Sequence, residues 1–381
     1  MKTSPFLIAF SAALAISCAA DGPKQRATVQ LSDNSSQRQL LTVNGLAKIG
    51  DAPDFDSPAL AIICVDENTC WINSPRKLWR SVDSGKHWQE VYRSRSDEDE
   101  IQACHFVSSE YGWRISYHKL FVTHDGGYTW AEQPSPFEYP TGESRSLWFL
   151  GQKTGWIAGG TFRTQTPTEL KFGVPNNARD VTGKMVLEQA VFQTTDGGKT
   201  WKKQSFQSSG GASIGRILRV RFLNDLRGVA LGERNFYYTS DGGNHWLRPN
   251  LNNNCVRSKY KSDYDASPAN VEMLDARNWW ITYDDGRIIR SADGGNVWCD
   301  FVQPEEIPFD EAGHHYFTVL HFDTAAHGWG LGWDRFLYET KDAGKHWTRV
   351  SSEIKFDSMD FPNKSNGFLV SHAGIFGTRH K

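Results

Sequence analysis

Seven times along the chain an anchor residue is followed, seven positions later, by a second apolar one: Cys64/Trp71, Phe106/Trp113, Phe149/Trp156, Phe222/Val229, Met273/Trp280, Phe322/Trp329 and Phe361/Phe368. Ahead of each anchor the side chains alternate. Two positions before it stand Ile62, Cys104, Leu147, Val220, Val271, Leu320 and Met359, all apolar. One position before it stand Ile63, His105, Trp148, Arg221, Glu272, His321 and Asp360, mostly polar. A period of two marks a strand with two unlike faces, so each anchor ends a first strand. The constant spacing then predicts a hairpin into a second strand carrying a Gly-Trp pair, as in "GWIAGG" (155–160). A third strand, for example "NFYYT" (235–239), leads into an octapeptide, and a fourth starts at that octapeptide's Trp.

The octapeptides are "SVDSGKHW" (81–88), "THDGGYTW" (123–130), "TTDGGKTW" (194–201), "TSDGGNHW" (239–246), "SADGGNVW" (291–298) and "TKDAGKHW" (340–347). Their aspartates, Asp83, Asp125, Asp196, Asp241, Asp293 and Asp342, stand 42, 71, 45, 52 and 49 residues apart. Periods in the forties belong to propeller blades of four strands. The seventh unit reaches Thr378, the position where an octapeptide begins, and lacks the Asp and Trp that would follow. One strand is therefore missing there, and "QRQLLTVNGLAKI" (37–49) is the stretch outside the units able to supply it. An unpaired sheet edge would invite aggregation, so the expected fold is all-β: a seven-bladed β-propeller over 39–381, with the N-terminal strand closing the last blade.

Within each octapeptide, Gly at the fifth position supplies a positive φ for the turn. The Asp accepts hydrogen bonds from its own turn, and the Trp covers the sheet. The six aspartates lie on separate blades and cannot converge on a metal or a substrate, so their expected role is structural.

Composition adds the compartment. "FLIAFSAALAI" after Lys2 reads as an export signal over 1–18, too short to span a bilayer. "LAISC" (14–18) resembles a bacterial lipobox, departing from it at Ala15, where Leu is usual; Cys18 is the candidate lipidation site, with plain secretion the alternative. Residues 19–38 are polar and aperiodic, a flexible tether. The expected location is the periplasm or outer membrane. A formal charge of -2 gives no reason to expect nucleic acid. In an oxidising compartment Cys255 and Cys299 are a plausible bridge, Cys64 and Cys70 flank one hairpin and are a second candidate pair, and Cys104 is expected as a free buried thiol.

The octapeptides are Asp-box (bacterial neuraminidase) repeats, found in sialidases, two-propeller xyloglucanases, sortilin-type receptors and photosystem II assembly/stability factors. The Gly-Trp strand followed by "T-x-D-G-G-x-x-W", on one propeller with an export signal, looks most like the last of these and their relatives in non-photosynthetic bacteria. The resemblance implies a scaffold that holds a protein subunit during assembly of a membrane complex. It carries a fold far more securely than an activity.

Strand direction puts the short first-to-second and third-to-fourth turns on one side and all the length variation on the other. The long connections include 161–189, 251–270 and 303–317. Variable loops on one face of a rigid disc make that face the expected working surface. His105, Trp148, Arg221, Glu272, His321 and Asp360 are expected to line or approach the central channel, either as inter-blade contacts and water sites or as ligand contacts. His314, His315 and His321 match no standard metal spacing, and neither metal nor cofactor is expected. The enzymatic alternative is a sialidase-like glycosidase that binds or hydrolyses glycans. Against it, no Arg-Ile-Pro motif occurs, and one propeller leaves no cleft between two for xyloglucanase-type chemistry.

Overall fold

In the computed structural model, residues 42–43, 46–55, 59, 61–116, 119–137, 142–164, 185–206, 217–233, 235–251, 266–301, 316–350, 353–363 and 366–378 are described. The export signal, Cys18, the tether and Cys255 lie outside them. Leu40–Lys381 forms one compact unit, and its strands assemble into seven antiparallel sheets arranged as the blades of a propeller. The innermost strands are Ala61–Cys64, Ala103–Phe106, Gly142–Phe149, Ile217–Phe222, Pro268–Met273, Phe317–Phe322 and Ser358–Asp360, which number the blades one to seven.

Blade seven is completed by the other end of the chain. Leu46–Gly50 pairs antiparallel with Gly374–Thr378, matching Leu46 to Thr378 and Ala47 to Gly377, and Thr42–Val43 turns back on its outer edge. Closure leaves the sheet no bare edge where the last octapeptide strand is missing.

Two blades depart from the simple repeat. In blade three the interval expected as a loop begins and ends as strand: Gly155–Thr164 and Met185–Thr194 pair along their whole length, from Gly155↔Thr194 to Thr164↔Met185. The arm's tip, 165–184, lies outside the described residues. In blade four the outermost position is held by Leu247, which exchanges backbone hydrogen bonds with Tyr238. Pro249 has no N–H to continue that ladder, and Asn250–Leu251 instead runs parallel to the outermost strand of blade five, Val297–Phe301.

Blades are joined by the second-strand tryptophans, and the partner is the anchor of the next unit rather than of their own. Trp71 stacks on Phe106 at 3.8 Å, Trp113 on Phe149 at 3.6 Å, Trp156 on Phe222 at 3.4 Å and Trp280 on Phe322 at 3.7 Å, measured between ring centroids. All four indoles are fully buried. Each Nε1–H also donates to a backbone carbonyl at the fourth position of the next blade's octapeptide: Gly126 (2.9 Å), Gly197 (3.2 Å), Gly242 (3.4 Å) and Ala343 (3.0 Å).

The octapeptides share one geometry. Thr123 Oγ1 donates to Asp125 Oδ1 (2.8 Å) and accepts the Gly127 N–H (2.9 Å), while Asp125 Oδ1 accepts the Thr129 N–H (2.9 Å). The same three bonds recur around Asp83, Asp196, Asp241, Asp293 and Asp342. Positive φ falls on the fifth residue, 102° at Gly127, and also on the fourth, which is Ser84 at 63° and Ala343 at 68° in the two boxes lacking glycine there. The fourth residue's N–H donates to the first hairpin of its own blade, as from Gly126 to Glu110 O (2.8 Å) and from Ala343 to Ala326 O (2.7 Å). Each box is thus a corner brace that fastens its own hairpin, and the boxes of blades two, three, four and six also receive the previous blade's tryptophan.

Cys64 and Cys70, opposite one another on the first two strands of blade one, form a disulfide. Cys299 is also disulfide-bonded. Cys104 is a free thiol that burial pushes up to about 12, which leaves it inert at neutral pH.

Candidate functional site

The alternation of the innermost strands turns one residue per blade toward the axis just before the anchor, and these side chains form a nearly continuous girdle. The His105 imidazole lies 4.6 Å from the Trp148 ring, and the Arg221 guanidinium lies 5.3 Å from that ring on its other side in sequence. Arg221 Nη1 sits 2.6 Å from Glu272 Oε2 and donates to Val271 O at 3.0 Å. His321 Nδ1 is 3.5 Å from Glu272 Oε1, and its imidazole stacks on Phe361 at 4.0 Å. Asp360 accepts the Cys64 N–H at 2.7 Å, carrying the girdle across the seam into blade one. Arg221, Glu272, His321 and Asp360 line one cavity of about 250 Å³, with Met273 and Asn363 among its other walls. His105 and Trp148 continue the same layer beside it.

Burial works against the charge of Glu272, but Arg221 and His321 hold its carboxyl below the usual range. Burial pushes Asp360 upward, against the hydrogen bonds it accepts from Cys64 and Phe361. His105 is pushed down to about 4 by burial, so it is neutral at pH 7 with Nε2–H donating to Phe149 O at 2.9 Å. Two girdle atoms are buried with no hydrogen-bond partner among the described residues: Trp148 Nε1 and His321 Nε2.

A second layer was not singled out in the sequence. Three residues before the anchors stand Ala61, Ala103, Ser146, Arg219, Asn270, Val319 and Ser358, the same strand face one step deeper. Ser146 Oγ accepts the Val220 N–H (3.2 Å), Ser358 Oγ accepts the Ile62 N–H (3.1 Å), and Arg219 Nη1 donates to Asn270 Oδ1 (2.6 Å). The available signal was the same period of two, followed one step further back.

The girdle lies at the hairpin end of each innermost strand, so its cavity opens toward the Asp-box side. Residues 165–184, 252–265 and 302–315, the bulk of the long connections, fall outside the described residues, His314 and His315 included. Five of the six large apolar side chains exposed among the described residues lie at the Asp-box end, Val82, Tyr128 and Val297 in octapeptides and Leu150 and Leu226 in first hairpins; the sixth, Leu218, lies on the innermost strand of blade four. The six Asp-box carboxylates are spread one to a blade around that end and do not approach one another. Among the described residues no group of three or more His, Cys, Asp and Glu is placed to hold a metal ion.

Seven sheets around a polar-walled channel, six of them carrying an Asp-box, define a β-propeller of the bacterial neuraminidase repeat type. Within that class the chain resembles the photosystem II assembly factors. The family model described as photosynthesis system II assembly factor YCF48 matches residues 255–359. The photosystem II assembly lipoprotein Ycf48 of Picosynechococcus sp. is 26% identical over 313 residues, covering 76% of this chain and 86% of that protein. A solved structure of YCF48 bound to D1 peptide superposes with a TM-score of 0.61 at 18% identity, over 90% of this chain and 99% of that one. An ancestral GH74 enzyme has the same fold at a TM-score of 0.58 and 13% identity, with 89% of this chain covering 46% of the enzyme.

Proposed function

We propose that this protein is an exported, non-catalytic propeller, held to a membrane through lipid on Cys18, that binds a protein client during assembly or stabilisation of a membrane or envelope complex. The observation that carries this reading is the 26% identity to an assembly lipoprotein over most of both chains, 76% of this one and 86% of the other. The solved relative that carries a D1 peptide supports a protein client. The girdle of His105, Trp148, Arg221, Glu272, His321 and Asp360 is the candidate contact surface at the axis, and the exposed Leu150 and Leu226 offer apolar contact beside it.

The test is photo-crosslinking in the native cell from positions 226 and 128 on the Asp-box side, with position 90 on the outermost strand of blade one as control. Recovery of the same membrane protein from the first two and not the third supports the reading. Absence of any membrane partner overturns it, as does hydrolysis of fluorogenic sialosides or β-glucans by the purified chain.

A further inference from the structure

The innermost strand of blade four differs from the other six in placing arginines in both channel layers, Arg219 and Arg221. A guanidinium has five N–H donors. Among the described residues, Arg221 commits only Nη1, to Glu272 and Val271 O, and Arg219 only Nη1, to Asn270. The remaining edges of both groups are therefore unspent. Arg219 is exposed to the channel, and the cavity reaches Arg221.

Trp148 provides an independent observation. Its indole N–H can only donate, it is buried without an acceptor, and the Arg221 guanidinium stands 5.3 Å from its ring. His321 Nε2, on the far wall, is likewise buried and unpartnered. A ligand that supplies acceptor oxygens beside blades three and four would meet the unspent guanidinium N–H groups and the Trp148 N–H.

We propose that the channel at Arg219, Arg221 and Trp148 binds a carboxylate, delivered by an acidic side chain or chain end of a protein or by a small organic acid. The planar fork of arginine matches a carboxylate in two parallel hydrogen bonds. Glu272 shows that this pocket accommodates one such group against Arg221 at 2.6 Å. Phosphate concentrates up to two charges on one head group and so meets stronger repulsion from Glu272 and from whatever charge Asp360 retains, whereas each carboxylate brings a single charge to the pocket. Burial that drives Asp360 toward its neutral form lessens the repulsion a carboxylate meets. The inference deepens the client-binding reading, and on the protein source it rests on that reading.

The experiment is titration calorimetry of the purified full chain at low salt with four probes. These are succinate, a blocked pentapeptide of alternating glycine and aspartate, the same peptide with asparagine, and inorganic phosphate. Binding of the aspartate peptide or succinate, with the asparagine peptide silent and phosphate weaker, supports the site; the aspartate peptide alone points to a protein segment, and succinate alone to a small acid. Arg219→Gln removes one fork without disturbing Glu272 and should weaken binding about tenfold. Arg221→Lys keeps the charge beside Glu272 while losing the fork, and should weaken it similarly with the melting temperature little changed. No binding of either carboxylate probe, phosphate binding as tightly as succinate, or unchanged affinity in Arg219→Gln overturns the proposal. Carboxylate failure with crosslinked partner intact sinks this inference alone; carboxylate binding with no partner captured sinks the client reading alone.

Discussion

Trp71 of blade one lies flat against Phe106 of blade two, ring centroids 3.8 Å apart and planes 5° from parallel, and its Nε1–H reaches Gly126 O in the same neighbouring blade at 2.9 Å. One side chain thus supplies both apolar contact and a directed bond across the seam. Trp71→Ala should cost about 3–5 kcal/mol through the cavity it leaves. Trp71→Phe keeps an aromatic face and strands only the carbonyl, at about 1–2 kcal/mol. Urea unfolding of both variants checks the ratio; equal losses would mean that the bond, rather than the packing, holds the seam.

The Asp-box carboxylates should give the protein an acid limb. Hydrogen bonds from Thr200, Thr194 and Lys199 lower Asp196 to about 2, and against some burial those from His87 and Ser81 lower Asp83 to about 2 as well. A carboxyl depressed in the folded state contributes stability that is complete above the unfolded value near 3.8 and is lost as pH falls through about 2. Melting temperature should therefore drop between pH 4 and pH 2, and Asp196→Asn should flatten part of that drop. A curve flat over that window would contradict it.

His327 predicts a limb of opposite sign. Burial disfavours its charge, but Glu339 at 2.9 Å from Nε2 and Asp323 at 2.7 Å from Nδ1 overcome this and raise it. A histidine raised in the folded state adds stability fully present below about pH 6.5 and lost as pH climbs through its higher folded value. His327→Gln should be less stable than the parent at pH 6 and converge with it at alkaline pH. Parallel melting curves at all pH values would refute the assignment.

Ala343 occupies the left-handed region at φ 68°, where four of the other boxes have glycine. An L-residue there costs about 1–2 kcal/mol, partly offset by the greater freedom glycine regains on unfolding. Ala343→Gly should stabilise by about 0.5–1 kcal/mol, and Gly126→Ala should destabilise, since a Cβ there would sit 2.7 Å from Ser109 O. Denaturant midpoints of the two single variants test the pair of signs.

Much of the blade could be read from the chain because a strand's two faces repeat every second residue and an Asp-box closes its hydrogen bonds within eight positions. The same period brought His105, Trp148, Arg221, Glu272, His321 and Asp360 to the axis. It did not reveal that Trp71 serves Phe106 rather than Cys64, because a seven-residue spacing looks identical whether the pair packs within a unit or across a seam. Nor did length variation reveal that 161–164 and 185–189 are paired strand.

Sequence alone, then, determined the local terms: strand faces, turn chemistry, the number of blades and the need for an outside strand to finish the seventh. The tertiary structure alone decided which neighbours those terms meet. Arg221 faces Glu272 from 51 residues away in the chain, and the girdle forms at the hairpin end of the innermost strands. Contacts between blades depend on how seven sheets close around an axis, and closure is a property of the whole ring that no single repeat encodes.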